Sequence, residues 1–200
     1  LNDSLTEENP LLSYHGKTFE GGLIAYFAKD VSCVIDFLTT LNANDPHHLL
    51  ATKLDMDKLG VFGVSLGGVI VSEASWKDRR IKASLIMESP IPKKIAQTGL
   101  PIPIMVITRP AEAMRAERKK SGGWTESDIE QHLSTMRALF ENTAESEFVQ
   151  IPDIFHVDFT DVPLWIPFAQ QLGFSGSTPI EETHDKLNSL TLKFFEEYLR

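Results

Sequence analysis

Residues 58–71 read KLGVFGVSLGGVIV. An apolar run leads into Gly63, a single serine follows at Ser65, and Gly67 and Gly68 open a stretch of small residues. A nearly continuous apolar run suits a strand buried on both faces. The spacing Gly-x-Ser-x-Gly then places the serine in a sharp strand-to-helix turn. Nearby glycines relieve the crowding there, so that Oγ is pushed out to where it can react. The plainer reading is a glycine-rich turn with no chemistry. A nucleophile needs a base, an acid and an oxyanion hole, and the rest of the chain decides between the two readings.

The flanking pattern supplies the right setting. Residues 23–43 place Leu23, Phe27, Val31, Val34, Ile35 and Leu38 on one side of an amphipathic helix. Apolar runs at 59–65, 83–89, 102–108 and 147–152 read as strands. Helical patterns fall at 67–76, 125–143 and 181–199. Thr125 stands three residues before Asp128, which fits an N-cap. Strands and helices that alternate in this way predict an α/β fold with a largely parallel sheet. Residues 1–22 read as an exposed loop.

Composition removes other classes. The chain has 200 residues, 42% hydrophobic and 24% charged, which is ordinary for a globular domain. A formal charge of −9 argues against nucleic acid or an anionic membrane as general partner. No apolar run approaches the ~18 residues of a transmembrane helix. The opening stretch LNDSLTEENP is polar and acidic, with neither the basic nor the apolar region of a secretory leader. The lone Cys33 excludes an internal disulfide among these residues, and its place in the 23–43 helix predicts a buried, inert thiol. His47 and His48 are adjacent beside Pro46, so they do not share a helix face as metal ligands would. Neither a metal nor an organic cofactor is implied.

Among the six histidines, His156 is the candidate base. His15 precedes the serine, His132 is in mid-helix, and His184 lies in a charged stretch that reads as solvated surface. His156 alone follows the last predicted strand, and catalytic groups of a parallel sheet collect at the carboxyl ends of strands. Two carboxylates compete as the acid. Glu88 ends the second strand and is followed by Ser-Pro. Glu112 follows the third. A carboxylate inside an apolar run is costly unless it is paired, which favours Glu88. Asp153 and Asp158 flank His156 too closely to orient its ring.

Together these residues resemble the α/β-hydrolase superfamily and, within it, the plasma-type platelet-activating factor acetylhydrolase family of serine esterases. The resemblance runs from about residue 55 to the end, through DMDKLGVFGVSLGG, DRRIKASLIMESPIP, PIPIMVITRP and FHVDFTDVPLW. Ser65, Glu88 and His156 fall at the positions of that family's triad, and His156, Phe159 and Asp161 keep its His-x-x-Phe-x-Asp segment. Val64 stands where the family commonly has histidine, and Glu88 where it has aspartate.

The resemblance implies a Ser-His-Glu triad that cleaves a short-acyl or acetyl-phospholipid-like ester, with the Leu66 N–H as one oxyanion donor. The same triad also serves acyl transfer or lactone and amide cleavage, and a non-catalytic binding protein on the same fold is a further reading. Residues 161–180 read either as packing or as an apolar lid, with Trp165 and Phe168 beside Val64 as candidate pocket residues. Such families have about eight strands and a His-Gly loop that gives the second oxyanion N–H. Only four strands are legible here, and the His-Gly of YHGKTFEGG has no strand before it. The chain is therefore expected to be the C-terminal part of one hydrolase domain. An N-terminal segment carrying the other strands, most simply a second chain cut from one precursor, is the expected partner.

Overall fold

The computed structural model describes residues 23–166 and 168–200. The readings of residues 1–22 as an exposed loop, and of YHGKTFEGG, fall outside the described residues. Helix α1 (Leu23–Ala43) comes first, followed by β1 (Leu59–Val64), α2 (Leu66–Lys77), β2 (Ile81–Met87), α3 (Lys93–Thr98), β3 (Ile104–Thr108), α4 (Ala111–Ser121), α5 (Glu126–Asn142), β4 (Ser146–Gln150), α6 (Val162–Trp165) and α7 (Ile180–Tyr198). The four strands form one sheet in the order β1-β2-β3-β4, with every neighbouring pair parallel. This is the α/β fold expected from the alternation of elements.

Residue alternation along the strands divides the core into two faces. Ile86, Ile104 and Val106 pack under Val71 of α2, Ile95 of α3 and Met136 and Leu139 of α5. Ala83, Leu85, Met87, Met105 and Ile107 face Leu187 and Phe194 of α7. β2 and β3 are therefore apolar at nearly every position, as strands covered on both faces must be. β1 and β4 are the edges of the described sheet, and Phe62 of β1 is 62% exposed. Helix α5 begins as its sequence predicts. Thr125 accepts from the Asp128 N–H, and the Asp128 carboxylate accepts from the Thr125 N–H at 2.8 Å. This capping box satisfies two donors at the helix start.

Several sequence readings need correction. Cys33 is exposed, not buried. α1 packs through Ile24, Ala28, Val31 and Ile35, and Cys33 lies two residues from Ile35, about 200° around the helix. Val34 is off the packed stripe for the same reason and is 56% exposed. His184 is half-buried, and its Nε2–H donates to the Thr160 carbonyl at 3.2 Å. Three helices have no legible pattern in the sequence, among them α6, a single turn of four residues in the stretch read as a lid or packing. α3 has only six residues, too few to show a period. α4 buries only Ala113, Met114 and Glu117, so its apolar stripe is thin. β2 ends at Met87, two residues earlier than expected, because Glu88 turns left-handed, at φ 47°.

Candidate active site

Successive strand ends deliver the polar groups of one site. Ser65 follows β1, Glu88 follows β2, Thr108 and Arg109 close β3, and His156 follows β4 after five residues. Ser65 has φ 55° and ψ −123°, a backbone that side chains other than glycine rarely adopt. Its N–H continues the sheet ladder to the Met87 carbonyl at 2.9 Å, and its carbonyl then accepts from the Gly68 N–H at 2.9 Å. Strand thus passes into helix across a single residue. Gly63 makes the turn possible, since a Cβ there would lie 2.3 Å from the Gly67 carbonyl group. Gly68 brings α2 against the neighbouring loop, where a Cβ would meet Ser89 at 2.5 Å. Leu66 is the first residue of α2, so its N–H has no carbonyl of its own helix to meet and lies at the positive end of the helix dipole.

His156 opens a single 3₁₀ turn, His156–Phe159. Its Nε2 lies 3.1 Å from Ser65 Oγ, and its Nδ1 lies 3.8 Å from Glu88 Oε1. Nδ1 has no hydrogen-bond partner within reach. With the proton on Nδ1, toward the carboxylate, Nε2 is left free to accept from the serine hydroxyl. The turn is braced by Asp158, one of the two aspartates read as too close to orient the ring. Its buried carboxylate accepts from Phe155 N–H (2.6 Å), Ser175 Oγ–H (2.6 Å) and Gly176 N–H (2.8 Å). It holds the loop that holds the histidine. Asp153 is exposed.

Glu88 is fully buried and is satisfied on both oxygens. Oε1 accepts from Arg109 Nε at 2.6 Å and Oε2 from Thr108 Oγ1 at 2.9 Å. Because a carboxylate only accepts, Thr108 must donate its proton to Glu88. Thr108 Oγ1 therefore accepts from His132 Nε2 at 3.2 Å, which fixes His132 in its Nε2–H tautomer. Burial pushes the Glu88 carboxyl up, but the charges of His132 and Arg109 and the approach of His156 outweigh it and hold the group down at about 2. Burial drives His132 the other way, down to about 4, so it is neutral at pH 7 and Arg109 is then the cation beside Glu88. Arg109 is itself fully buried and reaches past Glu88 to pair Nη1 with Glu117 Oε2. Glu117 Oε1 in turn accepts from the His156 backbone N–H at 3.3 Å. Trp124 covers the cluster, with its ring 5.0 Å from that of His132 and 5.8 Å from that of His156.

Of the residues singled out from sequence, Ser65, Glu88 and His156 come together. Glu112, the competing acid, has a side chain 80% exposed and 3.8 Å from Arg115 on its own helix. Val64 lines a cleft of about 260 Å³ with Phe62, Met87, Phe159 and Leu187, on the α7 face of the sheet. Trp165 and Phe168 are 81% and 72% exposed. Thr108, Arg109, Glu117, Trp124 and His132 were missed. His132 carried a signal, since it stands three residues after Ile129 and four before Met136, on the buried stripe of α5. Arg109 carried another, as a charged residue directly after a buried strand.

No protein-family model matches the chain, and no curated protein matches it in sequence. Among solved structures it is similar to a ferulic acid esterase from Streptomyces cinnamoneus, with a TM-score of 0.67 and 22% identity. The match covers 90% of this chain and 49% of the esterase, so the chain spans about half the length of that protein. At this level of identity the likeness is one of fold, and over the matched residues the chain has the α/β fold of that esterase.

Proposed function

We propose that this chain carries the catalytic residues of a carboxylic-ester hydrolase that works through an acyl-enzyme. The observation that supports it most is the approach of His156 Nε2 to Ser65 Oγ, 3.1 Å, with the serine on a left-handed backbone at a strand end. His156 takes the hydroxyl proton as Oγ attacks the ester carbonyl carbon. The oxygen of the tetrahedral intermediate turns toward the Leu66 N–H. Collapse breaks the bond to the alcohol, which leaves with the proton from Nε2. Water, deprotonated by His156, then releases the acid and restores Ser65. Glu88 stabilises the imidazolium, and the 3.8 Å gap to Nδ1 closes as the ring becomes charged.

The finer reading is a short-acyl or acetyl-phospholipid-like ester, as the family resemblance implies. The small cleft at Val64, lined by Phe62, Met87, Phe159 and Leu187 with Asp161, His184, Asn188 and Thr191 at its polar side, is the proposed acyl pocket. The solved structure of similar fold is that of a ferulic acid esterase, which adds an aromatic acyl group to the ester series. The exposed Trp165 and Phe168 are the proposed outer wall for longer chains, so Trp165→Ala and Phe168→Ala raise KM for long acyl esters more than for acetate. The partner remains the segment that carries the other strands. The uncovered Phe62 and the match to about half of the esterase support it. The test is hydrolysis of p-nitrophenyl acetate, p-nitrophenyl octanoate and methyl ferulate by the protein and by its Ser65→Ala variant. Turnover of at least one ester by the first and none by the second is expected. Equal rates from both overturn the reading.

A further inference from the structure

An acid that serves a catalytic histidine usually spends its charge on the imidazole alone. Here the Glu88 oxygen that faces His156 Nδ1 at 3.8 Å is held by Arg109 Nε at 2.6 Å. A buried carboxylate paired with a buried guanidinium is a neutral unit, and a neutral unit gives an imidazolium little stabilisation. The charge is made up elsewhere. Glu117, whose side chain is 11% exposed, pairs with the far side of the same guanidinium. Two carboxylates around one arginine restore a single net negative charge beside His156. Glu117 also reaches the main chain of the histidine, since its second oxygen accepts the His156 N–H.

We infer that Glu117 is a positioning residue for His156 and that Glu88, Arg109 and Glu117 together form the acid of this site. The placement is built into α4. Glu117 stands four residues after Ala113 and three after Met114, on the only buried stripe of that helix. A carboxylate there is costly without partners, and both of its oxygens have them. The groups around the His156 ring come from every neighbouring element: Ser65 after β1, Glu88 after β2, Arg109 after β3, Glu117 on α4, and His132 on α5, with Trp124 across the top. On its own turn, Asp158 is taken up by Phe155, Ser175 and Gly176. Only its kinetic consequence rests on the esterase reading.

The test is the imidazole titration of His156, followed by NMR in the intact protein and assigned with His156→Gln, beside the rate of serine labelling by a fluorophosphonate. Glu117→Gln removes one negative charge from the cluster, so the imidazolium loses stabilisation. The titration moves down by about one pH unit, and labelling slows about tenfold. Arg109→Met removes the positive charge and moves the titration up. Glu117→Asp keeps the charge but retracts the acceptor from the His156 N–H, so the titration stays near wild type while labelling slows. If Arg109→Met does not fold, the two Glu117 variants carry the test. A titration unchanged in Glu117→Gln, or one shifted equally in Glu117→Asp, overturns the inference. A wild-type protein that does not label overturns the esterase reading instead, because the titration is read without any reaction at Ser65.

Discussion

Ser65 and Glu88 stand side by side, one step beyond the paired ends of β1 and β2, and both have a left-handed backbone. Val64 and Met87 are register partners, and the next residue of each strand turns to φ 55° and 47° respectively. Each first makes one more ladder bond, Ser65 N–H to Met87 O at 2.9 Å and Glu88 N–H to Ile107 O at 2.8 Å. The proposed nucleophile and acid are therefore set by the sheet. Only the histidine arrives on a loop, and that loop is pinned by Asp158 and Glu117.

The left-handed serine stores strain. Placing glycine there relieves it, so Ser65→Gly raises the free energy of unfolding by about 1 kcal/mol while it removes the nucleophile. Urea unfolding of the two proteins measures this. A less stable Ser65→Gly protein would show that the serine side chain supports the fold.

The acid assignment separates two glutamates. Ser65→Ala and His156→Ala each lower kcat/KM by about 10³-fold or more, because such groups act as a unit. Glu88→Gln costs about 10²-fold or more. Glu112→Gln, which changes an exposed side chain, leaves kcat/KM within about twofold. A larger loss from Glu112→Gln than from Glu88→Gln would give the role to the other glutamate.

Acid should weaken the fold in two stages. His132 is depressed from 6.5 to about 4 by burial, so the unfolded chain takes up this proton before the folded one does. Stability is complete above pH 6.5 and falls as pH drops toward 4, by about 3 kcal/mol from this group. Glu88, held at about 2 against 4.5, adds a second loss below pH 4.5. In His132→Gln the amide can still reach Thr108 but does not titrate, so the first stage disappears. Urea midpoints at pH 7, 5.5 and 4 read both stages. An unchanged slope between pH 7 and 4 in His132→Gln would assign the acid sensitivity to other groups.

The four strands and the long helices were legible because their residues are patterned by burial on one or two faces. Ser65 and His156 were legible because a strand-end turn and a strand-end loop leave local marks, glycines in one case and a break in an apolar run in the other. Arg109, Glu117 and His132 were not read as site residues, although each sits where a buried apolar residue would serve. Their partners are distant in sequence, 21 residues from Arg109 to Glu88 and 39 from Glu117 to His156. Periodicity shows that such a residue is buried without showing what it meets. The choice between Glu88 and Glu112 turned on the cost of burying an unpaired charge, and the structure supplies the pairs that offset that cost.

Ser65 is proposed to be a nucleophile activated by His156. Fluorophosphonate labelling followed by peptide mapping tests it without knowledge of the substrate. One covalent adduct is expected, on Ser65, formed rapidly at pH 7.5, slowed by about 10³-fold in His156→Gln and absent in Ser65→Ala. No adduct on the wild-type protein, or an adduct that forms equally fast without His156, would contradict it.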